Sequence, residues 1–213
     1  MTQAFHQSEV LQDLGVAHGF GKVASDGAGP GDLCRVTQVH GNSIVEAPVA
    51  GSGAETCSDA LLTRVSGTAL GIQTADCVPI LLADQSASVV AAVHAGWRGS
   101  AARIAFEAVA ELAVDPATLT AVIGPHAGAC CYEVDEPVRG AFGAGADAFF
   151  VQNRPGHYLL DLFGLNRAQL LEAGVSRRAI SRVGGCSICD PHGYPSYRRD
   201  PSSGRMMHFI RLP

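Results

Sequence analysis

Short apolar segments fill the first half of this chain, and they constrain its fold more than any other feature. Each segment holds about four to eight residues rich in Val, Ile, Leu and Thr, a pattern typical of strands buried on at least one face. Gly, Pro, Asp or Ser bounds them, and they lie at 33–39, 43–47, 59–63, 69–74, 78–83 and 88–94. None comes near the roughly 18 apolar residues that a membrane-spanning helix needs, so we expect no membrane segment.

The second half of the chain adds helices to these strands. A helix is predicted from Ser100 to about Ala113, because Ser100 is a good N-cap and apolar residues follow it at spacings of four. The other predicted elements are a loop at 24–32, strands at 119–124 and 206–212, and helices at 135–142 and 161–172. Strands grouped before helices favour an α+β fold, a layered α/β sandwich with mixed β-sheets, forming a single domain over residues 1–213.

Composition and charge exclude several classes of protein. With 47% hydrophobic and 16% charged residues, against about 25% charged in typical proteins, the chain is expected to be compact and globular. Its net charge of −5 and its lack of a basic run argue against nucleic-acid binding. The N-terminal residues lack the basic leader and apolar core of a secretory signal, which predicts a cytoplasmic protein. Seven cysteines, an odd number, fit a reducing compartment, where free thiols or metal ligands are expected.

One segment, residues 91–100, predicts an anion site. An apolar strand ends at His94, passes through a turn bracketed by Gly96 and Gly99, and leads into the helix predicted from Ser100. Arg98 and the first backbone N–H groups of that helix both favour phosphate or carboxylate. The alternative is an ordinary glycine-rich turn in which Arg98 pairs with a surface carboxylate.

A cysteine and two histidines predict a metal site. His40, Cys77 and His94 each stand at the end of a predicted strand, and Zn²⁺ accepts such a set with one position left for water or substrate. The alternative is that they are ordinary core or surface residues, because their separations of 37 and 17 residues (77 minus 40, 94 minus 77) constrain a site only loosely.

The remaining cysteines give weaker signals. Cys186 and Cys189 have the spacing of half a zinc site or a redox pair, but no second Cys-x-x-Cys accompanies them, so chance spacing is favoured. The adjacent Cys130 and Cys131 are expected to face opposite sides of an extended chain.

Several blocks of sequence carry a family resemblance. In chain order they are Gln38-Val39-His40-Gly41, Asp59-Ala60-Leu61, the run from Thr74 to Asp84, His94-Ala95-Gly96-Trp97-Arg98-Gly99, Ile123-Gly124-Pro125, Cys130-Cys131-Tyr132-Glu133-Val134, Asp161-Leu162, Asn166, Ser196-Tyr197-Arg198-Arg199-Asp200 and Gly204-Arg205. Together they resemble the YfiH/laccase-domain family, from about Cys34 to Leu212. One departure is the short stretch between His18-Gly19-Phe20 and Gln38, where family members carry an additional segment that lines the substrate pocket.

The resemblance implies a fold, a metal set and several activities. The fold would be related to the deamidase domain of the cytotoxic necrotizing factor toxins, and the metal set would be His40, Cys77 and His94. Family members are described as zinc-dependent purine nucleoside phosphorylases that also deaminate adenosine and split methylthioadenosine, as copper polyphenol oxidases, and as peptidoglycan editing factors. The resemblance therefore implies Zn²⁺, or less favourably copper, with a purine nucleoside and phosphate as small-molecule partners.

Roles for individual residues follow as hypotheses. Arg98 would hold phosphate, Cys77 would bind the metal, and Glu133 is a candidate general acid or base, with a plain surface carboxylate as its alternative. Asp76 is expected to be structural, because its side chain should diverge from that of Cys77. A rival hypothesis makes Cys77 and His94 a nucleophile and base in an amide hydrolase. Copper oxidation is disfavoured because His126, His157, His192 and His208 show no clustered spacing, and a non-catalytic binding module is the fourth alternative.

Overall fold

A computed structural model of the chain describes residues 4–22, 29–47, 56–190 and 193–213. Its strands are β1 (Phe5–His6), β2 (Ala17–Gly21), β3 (Ile44–Glu46), β4 (Ala60–Thr63), β5 (Ala69–Thr74), β6 (Val78–Asp84), β7 (Val90–Ala95), β8 (Leu119–Ile123), β9 (Glu133–Asp135), β10 (Phe150–Arg154), β11 (His157–Leu160), β12 (Ile180–Arg182) and β13 (Met206–Arg211). Its helices are α1 (Glu9–Asp13), α2 (Trp97–Ala101), α3 (Ile104–Glu111), α4 (Glu136–Gly140) and α5 (Leu162–Glu172), with 3₁₀ turns at Pro116–Thr118, Ala144–Phe149 and Arg177–Ala179. Within the described ranges, no helix has the length and hydrophobicity to cross a membrane.

The strands form three sheets. The largest has the order β12-β8-β6-β7-β4-β3, with antiparallel pairs at its centre and parallel pairs at both edges. An antiparallel sheet has the order β1-β2-β13-β5, and a small one the order β10-β11-β9. One mixed sheet, two antiparallel sheets and the mixture of helices and strands confirm the α+β class.

The six-stranded sheet is buried on both faces. Along β7, Ala91 and Val93 face the core that contains Ile104 of α3 and Leu170 of α5, whereas Val90 and Ala92 face the core shared with the four-stranded sheet. Side chains alternate between faces along a strand, so β6 and β7 are buried at every position on both faces, and all their residues are apolar except Asp84 and His94. The result is a layered arrangement of helices, sheet and sheet.

Most of the predicted elements are found, although β1, β2, β9 to β12 and α1 were not predicted. Predicted strands at 43–47, 59–63, 69–74, 78–83, 88–94, 119–124 and 206–212 correspond to β3 to β8 and β13, and the helices at 135–142 and 161–172 to α4 and α5. The segment 33–39 is an exception: it makes only isolated bridges at Cys34 and Thr37. Residues 24–28 and His192 lie outside the described residues.

The helix predicted to begin at Ser100 is wrong in its start and its continuity. The helical turn α2 begins earlier, after Gly96, and the chain breaks at Arg103, whose φ is +65°. Ser100 is buried inside α2, where its hydroxyl hydrogen-bonds the side chain of Asn166. The Gln169 amide donates to the Ser100 carbonyl at 2.7 Å, and Arg103 N–H also bonds that carbonyl, which ends the α-helical pattern.

Acid is expected to destabilise this fold through two buried histidines. Burial lowers the pKa of His126 to about 4, and burial with His94 nearby lowers the pKa of His208 to about 3. Between those values and about 6.5, the ordinary histidine pKa, the unfolded chain binds more protons than the folded chain. The free energy of unfolding is therefore highest above about pH 6.5 and falls as pH drops below it.

We expect each of these histidines to remove about 2 kcal/mol from the free energy of unfolding between pH 7 and pH 5. Urea unfolding of the wild type and of His208→Gln at both pH values measures the effect, because glutamine does not titrate. The variant should lose about 2 kcal/mol less than the wild type. Equal losses would show that His208 does not contribute.

Candidate metal centre

Three predicted ligands meet at one end of the six-stranded sheet. One donor atom each from His40, Cys77 and His94 lies within 4.8 Å of the other two. Cys77 immediately precedes β6 and His94 lies on its neighbour β7, whereas His40 belongs to the loop before β3. His40 is exposed, Cys77 is half-buried and His94 is buried, so the set opens to solvent on the His40 side. Distant segments thus supply two imidazoles and a thiol, the ligand types that zinc accepts.

Asp59 organises this set. The His94 Nδ1–H donates to Asp59 Oδ1 at 2.8 Å, which leaves the Nε2 atom of His94 free to act as a ligand. The same carboxylate accepts backbone N–H groups of His40 at 2.9 Å and Gly41 at 2.6 Å. Burial acts to raise the pKa of Asp59, but hydrogen bonds from His94, Gly41 and His40 outweigh it and lower that pKa. Asp59, whose role sequence reasoning missed, therefore holds two of the three candidate ligands as a buried anion.

The chain adopts an unusual backbone conformation to bring these side chains together. His40 and Asp76 have φ values of +60° and +87°, in the left-handed region that side chains other than glycine rarely adopt. Such conformations persist where the surrounding structure imposes them, and they concentrate at functional sites.

In the metal-free chain, the electrostatics of the site favour an ionised cysteine. Burial acts to raise the pKa of Cys77, but His94 and His40 outweigh it and lower that pKa to about 6. Burial acts to lower the pKa of His94, but the charges of Cys77 and Asp59 raise it to about 9. Near neutral pH the site therefore holds a thiolate beside an imidazolium, and thiolate is the form that binds metals or attacks carbonyl carbons.

The absence of a side chain at Gly96 provides the space that the His40 and Cys77 side chains occupy. A Cβ atom at this position would lie 2.9 Å from His40 Nδ1 and 3.1 Å from Cys77 Sγ. Gly96→Ala is therefore expected to displace both ligands and weaken zinc binding by about 10–100-fold, the range seen when the surroundings of a metal ligand are disturbed. Competition with a chromogenic chelator measures the affinity.

The matched control for this substitution is Gly140→Ala. Gly140 lies in α4, and a Cβ atom there meets nothing within 4 Å. Zinc affinity should be unchanged in the control, and an unchanged affinity in Gly96→Ala would refute the steric argument.

Two further residues, Tyr132 and Arg198, lie beside the set. The Arg198 guanidinium lies 4.9 Å from the centre of the Tyr132 ring, and its backbone N–H donates to Asp76. Burial and then the negative charge of Cys77 raise the pKa of Tyr132 to about 12, so the phenol stays protonated. Both residues lie in blocks that carry the family resemblance, which was the signal available in the sequence.

Asp76 ties neighbouring loops together. Its Oδ1 accepts the hydroxyl of Ser187 at 2.6 Å and its Oδ2 the backbone N–H of Arg198 at 2.7 Å. These contacts make Asp76 a bridge between the turn that carries Cys77 and the C-terminal segment that passes over it.

Arg98 and Glu133 differ in the partners of their side chains. Arg98 is exposed and stacks over Trp97, its guanidinium carbon 4.3 Å from the ring centre, directly after the Gly96 turn. Glu133, in contrast, accepts three hydrogen bonds from Arg154 and one from Asn153, which lower its pKa to about 2. A carboxylate so paired has no proton to donate near neutral pH, so the structure argues against Glu133 as a general acid. The helix start that was predicted at Ser100 lies earlier, directly after Gly96, because Ser100 is buried inside α2.

The other cysteines and histidines separate into two groups. Cys130, Cys131, Cys186 and Cys189 lie together, so the expectation that the Cys-x-x-Cys spacing is accidental, and that the adjacent cysteines diverge, is wrong. Adjacent side chains point the same way here because Cys130 and Cys131 lie in a turn, not in a strand. His126, His157 and His208 join no metal-binding cluster among the described residues.

Comparison with known proteins identifies the family. A family model described as multi-copper polyphenol oxidoreductase laccase matches residues 15–213. A purine nucleoside phosphorylase of Xylella fastidiosa strain Temecula1 is 42% identical over 175 residues, covering 79% of this chain and 67% of the relative. A second from Xylella fastidiosa strain 9a5c is 44% identical over 154 residues, 71% of this chain and 59% of the relative. The chain thus spans about two thirds or less of these relatives.

Solved structures show the same fold. The hypothetical protein YfiH of Bacillus licheniformis superposes with a TM-score of 0.85 at 28% identity, over 96% of this chain and 95% of that one. YlmD of Geobacillus stearothermophilus gives a TM-score of 0.78 at 35% identity, over 84% and 73% of the two chains. With the match over residues 15–213, this chain belongs to the multi-copper polyphenol oxidoreductase laccase family, whose members include YfiH-type proteins.

Proposed function

We propose that this protein is a metal-dependent purine nucleoside phosphorylase. The observation that carries the proposal is the convergence of His40, Cys77 and His94 within 4.8 Å, with Asp59 orienting His94. Relatives named purine nucleoside phosphorylase supply the substrate class. Two imidazoles and one thiolate fit zinc, and three protein ligands are the usual number in a catalytic zinc site. A reducing compartment such as the cytoplasm belongs to the proposal, because Cys77 must stay reduced to bind.

In phosphorolysis, a phosphate oxygen bonds to the anomeric carbon while the bond from that carbon to the base nitrogen breaks. The products are a sugar phosphate and the free purine. Bound zinc would supply Lewis-acid charge and would lower the pKa of a water molecule. Arg98 and Arg198 are exposed cations on segments that border the set, and guanidinium groups bind phosphate through paired hydrogen bonds. We assign them to hold the phosphate, a task of positioning and charge neutralisation.

Adenosine deamination and methylthioadenosine phosphorolysis are the finer parts of this proposal. Purified protein loaded with zinc is incubated with adenosine, inosine or methylthioadenosine, with and without phosphate, and the bases and ammonia are quantified. Phosphate-dependent release of base supports the phosphorylase, and ammonia without base indicates deamination alone. No turnover by the zinc-loaded protein would favour a binding module, and parallel loading with copper and a phenolic substrate tests oxidation.

The ionised Cys77 beside His94 favours a second candidate, a cysteine amide hydrolase. The proposed relation to the cytotoxic necrotizing factor deamidases belongs with this candidate. Editing of peptidoglycan precursors would be its reaction. Cys77 would attack an amide carbonyl to form a thioester, and His94 would donate a proton to the leaving amine. Activity that survives chelation and is lost on alkylation supports this candidate. Activity lost to a chelator and restored by zinc supports the phosphorylase.

A further inference from the structure

Four cysteines form a second sulfur cluster. Cys130 and Cys131 lie in the turn before β9, and Cys186 and Cys189 lie in the segment after β12. Their four Sγ atoms lie within 4.8 Å of one another. Cys131 and Cys189 are joined as a disulfide with Cα atoms 6.8 Å apart, and the Sγ atoms of Cys130 and Cys189 lie 3.3 Å apart. The cluster shares no residue with the His40, Cys77 and His94 set.

The backbone around Cys186 stabilises a thiolate. Its Sγ atom accepts the N–H of Gly128 at 3.2 Å and the N–H of Cys189 at 3.5 Å. Hydrogen bonds to the charged form of a group favour that form. One of these donors comes from the other loop, so the sulfur already joins the two segments.

The four sulfur atoms lie close enough to share one metal ion once the disulfide is reduced. Zinc–sulfur bonds of about 2.3 Å arranged tetrahedrally place the sulfur atoms about 3.8 Å apart, within the limit that the four Sγ atoms satisfy. Four thiolates are the ligand set of structural zinc. We propose that Cys130, Cys131, Cys186 and Cys189, when all four are reduced, form a tetrathiolate site for Zn²⁺ that is separate from the metal centre described above.

Metal binding and metal release at this cluster depend on the redox state of its cysteines. In the reduced chain, four sulfur–zinc bonds form as the thiol protons leave to solvent. A disulfide oxidant that removes two electrons from Cys131 and Cys189 converts two ligands into the disulfide and releases the metal. A cellular dithiol reductant returns two electrons and two protons and restores the ligands.

The site would hold two loops together beside the metal centre. The loops are already joined by the hydrogen bond that Ser187 N–H donates to the His126 carbonyl at 2.9 Å, and the Ser187 hydroxyl donates to Asp76 in the turn before β6. One loop leads directly into Tyr132 and the other contacts Asp76 next to Cys77. A zinc ion between them would therefore fix the position of Tyr132 and stabilise the fold.

Metal and thiol counts test the proposal. The full chain is produced with zinc in the medium, purified under nitrogen without added reductant, and analysed for zinc. Thiols are then titrated after denaturation in a chelator. Wild-type protein should hold about two zinc ions per chain and release all seven thiols. A single zinc ion that His94→Ala removes, together with only five thiols, would overturn the proposal and establish the disulfide.

Variants assign each ion to its site. Cys186→Ser should lose one zinc ion and keep the other, whereas His94→Ala should lose the other ion and keep this one. Cys57→Ser is the matched control, because Cys57 is an exposed free cysteine outside the cluster, and it should keep both ions. If the phosphorylase proposal fails, the zinc ion that Cys186→Ser removes and the thiol count are unaffected, so the two failures are distinguishable.

Cobalt spectra test the site in a protein that keeps all four cysteines, so the result does not depend on whether a cysteine variant folds. Co²⁺ added to folded His94→Ala protein, reduced under nitrogen, should give intense thiolate-to-cobalt bands in the near ultraviolet. All four cysteines of the cluster are present in this variant. Absence of these bands in the folded protein would therefore overturn the proposal.

Discussion

Replacing His94 with alanine is expected to remove both the proposed metal and the proposed phosphorolysis of purine nucleosides. The imidazole is buried, lies within 4.8 Å of the other two donors and is fixed by the 2.8 Å hydrogen bond to Asp59. Turnover should fall by about 10³-fold or more, because the loss of one fixed charge-stabilising group already costs 10²–10³ in rate. Zinc analysis and release of free base measure the two losses on the same preparation.

The matched control is His18→Ala. His18 is also buried, on β2, and its ring bonds the Val16 carbonyl and the Ser8 backbone N–H. The control should lose stability from the cavity and the broken hydrogen bonds while keeping its zinc and most of its turnover. If His94→Ala keeps full turnover, or if His18→Ala loses zinc equally, the assignment of His94 fails.

Asp59→Asn is expected to produce the second largest loss. The neutral amide keeps the volume of the side chain but removes the charge that receives His94 Nδ1–H and the N–H groups of His40 and Gly41. Disturbing the partner of a metal-bound histidine costs about 10–100-fold in metal affinity or activity. Zinc affinity by chelator competition and turnover at saturating zinc separate the loss of binding from the loss of catalysis.

A matched aspartate serves as its control. Asp84 is buried at the far end of β6 and accepts hydrogen bonds from the backbone N–H groups of Ser86, Ser88 and Val89. Asp84→Asn should lower the melting temperature without changing zinc affinity. If both variants weaken zinc binding by the same factor, Asp59 acts only through general stability.

Local pattern was sufficient to predict much of this fold. The uninterrupted apolar runs of β6 and β7 indicate strands buried on both faces, and both strands are found. The helix at α5 was also predictable, since Asp161 caps it through Gly164 N–H and Gly174 follows it with a φ of +101°. Such signals depend on neighbours in sequence, so they survive without knowledge of the tertiary structure.

The break at Arg103 shows where local pattern fails. Ile104, Ala108 and Leu112 have helical spacing, but the Ser100 carbonyl is bonded by Gln169, which lies 69 residues away. Similarly, Cys130 and Cys186 meet only because β8 and β12 pair in parallel and bring the segments after them together. No spacing of residues along the sequence predicts such contacts.

The sequence by itself determined four properties of this protein. They are its α+β fold class, a thiol at one strand end, two histidines of a type able to bind a metal, and a family resemblance. The tertiary structure alone decided that His40, Cys77 and His94 share one centre, that Asp59 holds it, and that Glu133 is paired elsewhere. The physical reason is that strand identity depends on side chains close in sequence, whereas a site depends on which strand ends the sheet topology places side by side.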